Sequence, residues 1–594
     1  MTPAAIGVVV DPEAPRQGEG DLPAYASEYV AEVLAHAGVP FDLLAPAALG
    51  TERSPRALLI LAQDLDLADD QRAYLTTFVR DGGELIGIAG TSGVDPLFGC
   101  ETRGLLDEGY LVAPSTSHPV TGALRRPVHV FGGSRVVAAT GRVLARVDTG
   151  AGGEVDAIVE RQVGRGRTLL LAPDLITSIV HIQQGKPVVP VPPREWAGSP
   201  QASVLDPERD RDTIEIDDVD DVYYTQTPPR AADGRPHYDR STFLEPMADT
   251  LRDVLLRATF DACRRAGEPV PVLWYWPRGL DAIAHMSHDS DGNRLGLAWT
   301  LFYLLRELDI RTTWCTMPVP GYSYAFYDAL KDGGYEIGLH YATGNAPVRT
   351  DRRWSQTDFD WQCDMLCYQA RLPRIISNKN HGLAWQGRLE FYRWCAARGI
   401  EVDQTRGDQG FTFGTCHPWR PMVDDRPGGD FLDVLALPFL TQDLTVVCPL
   451  GFMRPLADRC YAAHGVAHFL FHPSHIEDPL HEHAIRETVA YARQRGMEWW
   501  TSVAINAWER ARRRVTITPA VAGGAPGRAT FRVRAPDRLA AATLLVLPPA
   551  AGRVARLAID GAQVPATTVE RHGHRFAQIV ADLDGEHAVE VEWA

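Results

Sequence analysis

Short apolar runs ending in aspartate or histidine recur between Val270 and His472, and they limit the possible folds more than any other feature of this chain. Ala282-Ile283-Ala284 leads into His285-Met286-Ser287-His288-Asp289-Ser290-Asp291-Gly292-Asn293. Thr312–Thr316, Glu336–His340, Arg374–Ser377, Glu401–Gln404, Asp433–Leu437 and His468–His472 follow as strand-like segments. Helical patterns such as Leu295–Leu308 fall between most of them. With the helix Leu244–Arg265 and the strand Val270–Trp276 in front, and the helix Pro479–Arg495, the strand Glu498–Thr501 and the helix Ser502–Arg512 behind, these βα units predict a closed or nearly closed (β/α) barrel over residues 244–512.

The chain of 594 residues is too long for one core, and the flanks read as further domains. Residues 1–195 alternate strands (Ile6–Val10, Phe41–Leu44, Ala57–Leu61, Glu84–Ile88) with helices (Ala24–Ala37, Asp69–Val79), the order of a doubly wound α/β domain. Residues 196–243, with the run Asp217-Asp218-Val219-Asp220-Asp221, read as an acidic linker or lid. After Arg513 the apolar period becomes two, as in Val589, Val591 and Trp593, which predicts a β-sandwich over 513–594.

Bulk properties exclude some partners. A net charge of −17 argues against nucleic acid and anionic membranes, since both need a basic face. No apolar run approaches a membrane span, and Met1-Thr2-Pro3 runs into a strand without the basic start of a signal peptide. Nine scattered cysteines without a CxxC pair suit reduced thiols, so the expected location is cytoplasmic. Cys363 and Cys367 share a helical face, with no further ligand beside them.

At the predicted strand ends stand Asp289 with Asp291, His340, His381 and His472. One carboxylate and two imidazoles suit a divalent ion with an open position, as in catalytic zinc sites. Taken singly, Asp289 and Asp291 can cap the next helix, and each histidine can be a hydrogen-bonded structural residue. Four such groups, each at a predicted strand end, favour convergence on one ion. A glycosidase reading needs a second carboxylate across a cleft, and neighbouring Asp289 and Asp291 suit a shared cation better.

"SHDSDG", "GYEIGLH", a later histidine motif and "FLFHP" together resemble the polysaccharide deacetylases of carbohydrate esterase family 4, over Pro271 to Arg512. The resemblance implies a metal-dependent hydrolase that removes an N-acetyl group from a sugar or related amide. Asp289 would be the general base, Asp291 a metal ligand and His472 the general acid, with a water on a divalent metal, Zn2+ above all, as nucleophile. The family's second histidine, four residues after His340, is replaced here by Gly344, and its arginine–proline motif is missing. "SNKNHGLAW" and "VDQTRGDQGFTFGTCHPWRP" look closer to a divergent branch, in which His381 supplies the third ligand. The expected partner is a carbohydrate or N-acylated small molecule, touched by Asn345 and by Trp419 of a loop; Trp385, Trp499 and Trp500 are weaker stacking candidates. His475 is a fallback for the acid, and His475, His481 and His483 read as an exposed helix start or a second cation site.

In the first domain, "RDGGELIGIAG", "PSTSHPVTGAL" and "VERQVGRGRTLLLAPD" resemble glutamine-amidotransferase-like domains. Their catalytic cysteine sits on the turn after a strand, whereas this turn reads Gly87-Ile88-Ala89-Gly90 and Cys100 comes well past it. The resemblance therefore implies a structural or ligand-binding domain without its nucleophile. A competing reading of the whole is a non-catalytic carbohydrate-binding or scaffold protein that keeps the deacetylase fold.

Overall fold

The computed structural model describes residues 4–16, 23–51, 56–185, 243–342, 355–385, 388–407, 410–519, 527–550 and 552–593. Asn345 and the acidic run 217–221 lie outside these residues.

The N-terminal sheet starts as a parallel core. Asp42–Leu44, Ile6–Val9, Leu58–Leu61, Glu84–Ile88 and Gly166–Leu171 lie side by side in that order. Glu154–Val163, Val128–Ala138, Cys100–Val112 and Arg142–Asp148 extend it with antiparallel pairing. Alternate residues face opposite layers: Val8, Ile60, Ile86 and Leu171 enter one core, and Val9, Leu59, Leu61 and Leu170 the other. The first core also takes Leu251, Val254, Leu255 and Ala258. The helix Met247–Arg265, expected to open the barrel, thus covers this sheet instead. At the turn after Glu84–Ile88, Ala89 adopts φ +67°, a left-handed backbone that side chains disfavour. Cys100 is buried at the head of its own strand, and burial pushes its thiol up to about 12.

The central sheet is parallel throughout and curls into a partial barrel. Its order is Leu435–Ala436, Val402–Asp403, Ser377–Asn380, Glu336–Tyr341, Thr313–Thr316, Ile283–Asp289, Val466–Leu470, Thr441–Gln442, with Glu498–Trp499 added beside the start of Ile283–Asp289. The two edge strands follow each other in sequence. Leu437 N–H donates to Asp403 O on one side and Leu440 N–H to His468 O on the other, so a short piece of chain spans the gap. Outside pack helices such as Leu295–Glu307, Tyr324–Asp332 and Ser502–Arg513; Ser323 and Thr501 cap the last two through side-chain oxygens.

The barrel interior carries buried polar side chains, and one of them is richly bonded. The buried Glu336 carboxylate accepts from Thr313 Oγ1 (2.7 Å), Ser377 Oγ (2.6 Å), Ser502 Oγ (2.8 Å) and Val503 N–H (2.9 Å). Ser377–Asn380 has no apolar residue and yet is wholly buried, which shifts this strand three residues past its expected place.

The C-terminal strands form one antiparallel sheet. Arg528–Leu547 pairs with His574–Trp593, each 20 residues long, with irregularities between Ala535 and Ala542 where the strands bend. Thr516–Pro519, Val554–Ile559, Ala562–Gln563 and Thr567–Arg571 complete it, together with Val270–Leu273, which pairs with Leu547–Leu544. Val270–Leu273, predicted as a barrel strand, therefore belongs to the terminal sheet. Leu273 also donates its N–H to Gly38 O (3.1 Å). A Cβ on Gly38, at φ +71°, would stand 2.0 Å from Leu273 O, so only glycine permits this approach. Arg512 donates to His36 O (2.7 Å) and Arg513 to the Glu32 carboxylate (2.6 and 2.7 Å), which ties the last barrel helix to the first domain.

Candidate metal centre

Asp289 is the last residue of Ile283–Asp289, at the C-terminal end of the parallel sheet where the loops leave. Asp291 follows in a tight turn with Gly292 at φ +68°. Met317 N–H donates to Ser290 Oγ (3.0 Å) and Asn293 Nδ2–H to Met317 O (2.7 Å), which fastens this turn to the neighbouring strand end. His340 lies near the end of Glu336–Tyr341, in register with Lys379 of Ser377–Asn380. His381 comes directly after that strand and before Gly382 at φ +60°.

These placements bring three sequence-distant side chains together. Asp291 Oδ1 is 3.1 Å from His340 Nε2 and 3.2 Å from His381 Nδ1, and the two nitrogens are 3.2 Å apart. A tetrahedral ion with ligands at roughly 2.0–2.1 Å separates its ligand atoms by about 3.3 Å, close to this triangle. His340 Nδ1–H donates to Lys379 O (3.0 Å), which leaves the Nε2 lone pair facing the trio. A carboxylate oxygen and an imidazole lone pair directed at one small volume is a donor set for a cation. Burial alone would raise the Asp291 carboxyl, but His340 and His381 beside it hold it well below the usual range.

Asp289 stands next to the trio rather than in it. Its Oδ2 is 3.9 Å from His340 Nδ1 and 4.0 Å from His472 Nε2; its buried Oδ1 accepts no hydrogen bond among the described residues. His472, just beyond Val466–Leu470, also turns Nε2 to within 3.7 Å of Asp291 Oδ2. Asp289, Asp291, His340, His381 and His472 thus form one cluster at the barrel mouth.

Two functional candidates escaped the sequence reading. Asp443, buried on the loop after Thr441–Gln442, has Oδ2 2.5 Å from His472 Nδ1 and accepts the His472 N–H on Oδ1 (2.7 Å). No periodicity marks it, because its strand is two residues long. Lys379, fully buried, donates to Ser287 Oγ (2.7 Å) and places Nζ 3.9 Å from Asp289 Oδ1. Its signal was in the quoted "SNKNHG": a lysine two residues before a strand-end histidine faces the same side of the sheet.

Trp419 is corrected. Its side chain has no exposed surface, with its ring against Tyr392 in the barrel core, so no sugar can stack on it. The loop "CHPWRP" turns inward there, since Trp419 bridges to Ala436. Trp385 is likewise buried, covered by the Arg406 guanidinium at 4.3 Å from its ring. Cys363 lies in the apolar core. His481 is buried rather than on an exposed helix start, whereas His483 is exposed.

No family model and no curated protein matches the chain. Among solved structures, Agd3, described as a novel carbohydrate deacetylase, aligns over 100% of this chain and 98% of its own, at 10% identity and a TM-score of 0.42. A protein assigned as a polysaccharide deacetylase from Mycobacterium smegmatis aligns over 40% of this chain and 94% of its own, at 15% identity and a TM-score of 0.31. A β-galactosidase from Rahnella sp. R3 aligns over 29% of each chain, at 14% identity and a TM-score of 0.24. The chain spans only 27% to 30% of the length of the β-galactosidases it matches.

Proposed function

We propose that this protein is a metal-dependent hydrolase that removes an N-acyl group, acetyl in the simplest case, from a sugar or a related amide. The observation that carries the reading is the 3.1–3.2 Å triangle of Asp291, His340 and His381, with Asp289 and His472 on its border. A divalent ion held by that triangle, most simply Zn2+, supplies Lewis-acid polarisation of the scissile carbonyl and a more acidic water.

The remaining steps fall to the chain's own side chains. The Asp289 carboxylate takes a proton from the attacking water. Its free Oδ1 and its place beside, not within, the ligand triangle suit that task. Lys379, out of reach of solvent, places its Nζ 3.9 Å from that oxygen. His472 donates a proton to the departing amine nitrogen, which is otherwise a very poor leaving group. Asp443 fixes the ring so that Nε2, not Nδ1, faces the reacting atoms. Asp289 and His472 sit 4.0 Å apart, so a bond between base and acid can receive a proton on one side and give one up on the other.

The test is release of acetate from N-acetylated amino sugars and their oligomers by the metal-loaded protein, with metal content measured in parallel. Stoichiometric metal with acetate release supports the reading. Folded protein that takes up no divalent ion removes it and leaves the scaffold alternative.

A further inference from the structure

A second group of ligands lies behind His472, away from the triangle. Asp443, His472 and His475 each offer one ligand atom, all within 4.8 Å of one another. Asp443 Oδ2 is 2.5 Å from His472 Nδ1 and 3.8 Å from His475 Nε2. Its other oxygen is 3.7 Å from His481 Nε2. His481 has no exposed surface, and neither of its nitrogens has a hydrogen-bond partner among the described residues. A buried imidazole left unpaired beside a carboxylate is an open ligand. The rings of His472 and His475, and of His475 and His481, lie 5.9 and 5.6 Å apart. His475 is partly exposed, which gives an ion a way in.

Asp443, His472 and His475 supply three donors, and His481 Nε2, 3.7 Å from the second Asp443 oxygen, stands where a fourth can join them. We propose that Asp443, His472, His475 and His481 form a second, weaker site for a divalent transition metal, and that filling it switches the catalytic centre off. This regulatory half rests on the hydrolase reading above; the binding half does not. An ion at Nδ1 of His472 displaces the proton shared with Asp443, which leaves to solvent. The Nε2–H that remains belongs to a metal-bound neutral imidazole, a far weaker acid than imidazolium, so the amine loses its proton donor. The site is weaker than the triangle because the ion must break the His472–Asp443 hydrogen bond.

The experiment titrates metal-free, full-length protein with Zn2+, and with Co2+ as a spectroscopic probe, by calorimetry and by equilibrium dialysis with metal analysis. Two ions of unequal affinity are expected. His475→Ala and, independently, His481→Ala should each lose the weaker ion and keep the tighter one. Asp291→Ala should lose the tighter ion and keep the weaker one. Half-exposed His475 guards against a folding defect in the buried His481 variant. A single ion at millimolar Zn2+, or a second ion retained in both histidine variants, overturns the site and leaves a hydrogen-bonded network around the acid. In turnover assays, rate against Zn2+ should rise and then fall at least tenfold, and the fall should vanish in His475→Ala. A fall that persists in that variant overturns the switch. Two ions with the expected variant pattern but no amide hydrolysis would keep the site and sink the proposed activity.

Discussion

The Nδ1 of His472 and the Oδ2 of Asp443 are 2.5 Å apart, and this contact governs what the imidazole can do. Burial alone would lower the His472 pKa. The Asp443 carboxylate, followed by Asp289 and Asp291, outweighs it and lifts the value to about 10. A raised histidine adds stability that is complete below its unfolded value near 6.5 and is lost as pH climbs through 10. It also stays a proton donor across neutral pH. In Asp443→Asn the alkaline limb of the kcat profile should move to lower pH, with a loss of roughly tenfold or more at pH 8. A limb that stays in place would show that Asp443 does not control the acid.

Asp289 and Asp291 are one residue apart but stand in different relations to the triangle. Asp291→Ala should abolish both metal content and turnover, because it removes one corner. Asp289→Asn should keep the metal and lose about 10²–10⁴ in kcat. Elemental analysis of both variants beside initial rates separates these outcomes; full turnover in Asp289→Asn removes the base assignment.

Among the described residues the Lys379 ammonium reaches Ser287, Asp289 and the Phe439 ring rather than a corner of the triangle, so its effect should appear in turnover alone. In Lys379→Met, kcat should fall by about tenfold with metal content retained and KM near the parent value. Loss of metal in this variant would instead mean that the lysine holds the strand carrying the His340 acceptor carbonyl.

Buried neutral histidines predict acid sensitivity. Burial lowers His288 to about 3 and His574 to about 4, and it carries His36, His417, His464 and His468 well below their ordinary value. Between those values and about 6.5 the unfolded chain binds protons that the native state refuses, so stability falls as pH falls. Each such histidine contributes up to about 1.4 kcal/mol per pH unit. Urea midpoints should therefore drop steeply from pH 7 to pH 5; a flat profile would contradict the burial of these rings.

Much of the barrel and most of its mouth were legible because each site residue ends a strand-like run, and a parallel sheet gathers such ends on one rim. His381 was readable from its motif even though its strand, Ser-Asn-Lys-Asn, shows no apolar pattern; polar neighbours hydrogen-bond to that strand inside the barrel, so periodicity missed its boundaries. Asp443 was invisible for a related reason, since a two-residue strand leaves no period to read. Trp419 reads as a loop residue from its proline neighbours, but this loop folds back on Ala436 and buries the ring. The destinations of Met247–Arg265 and Val270–Leu273 depend on partners far away in the chain, and local pattern carries no record of them.

The pairing of Val270–Leu273 with Leu544–Leu547 sets an order of assembly. As the chain leaves the ribosome, that apolar segment emerges almost half a chain ahead of the strand that completes it. Until then it has the Gly38 backbone on one side and an open edge on the other. Nascent protein stalled before Leu544–Leu547 would thus expose a sticky ribbon to chaperones, and the sheet that contains this later strand closes the seam beside Gly38.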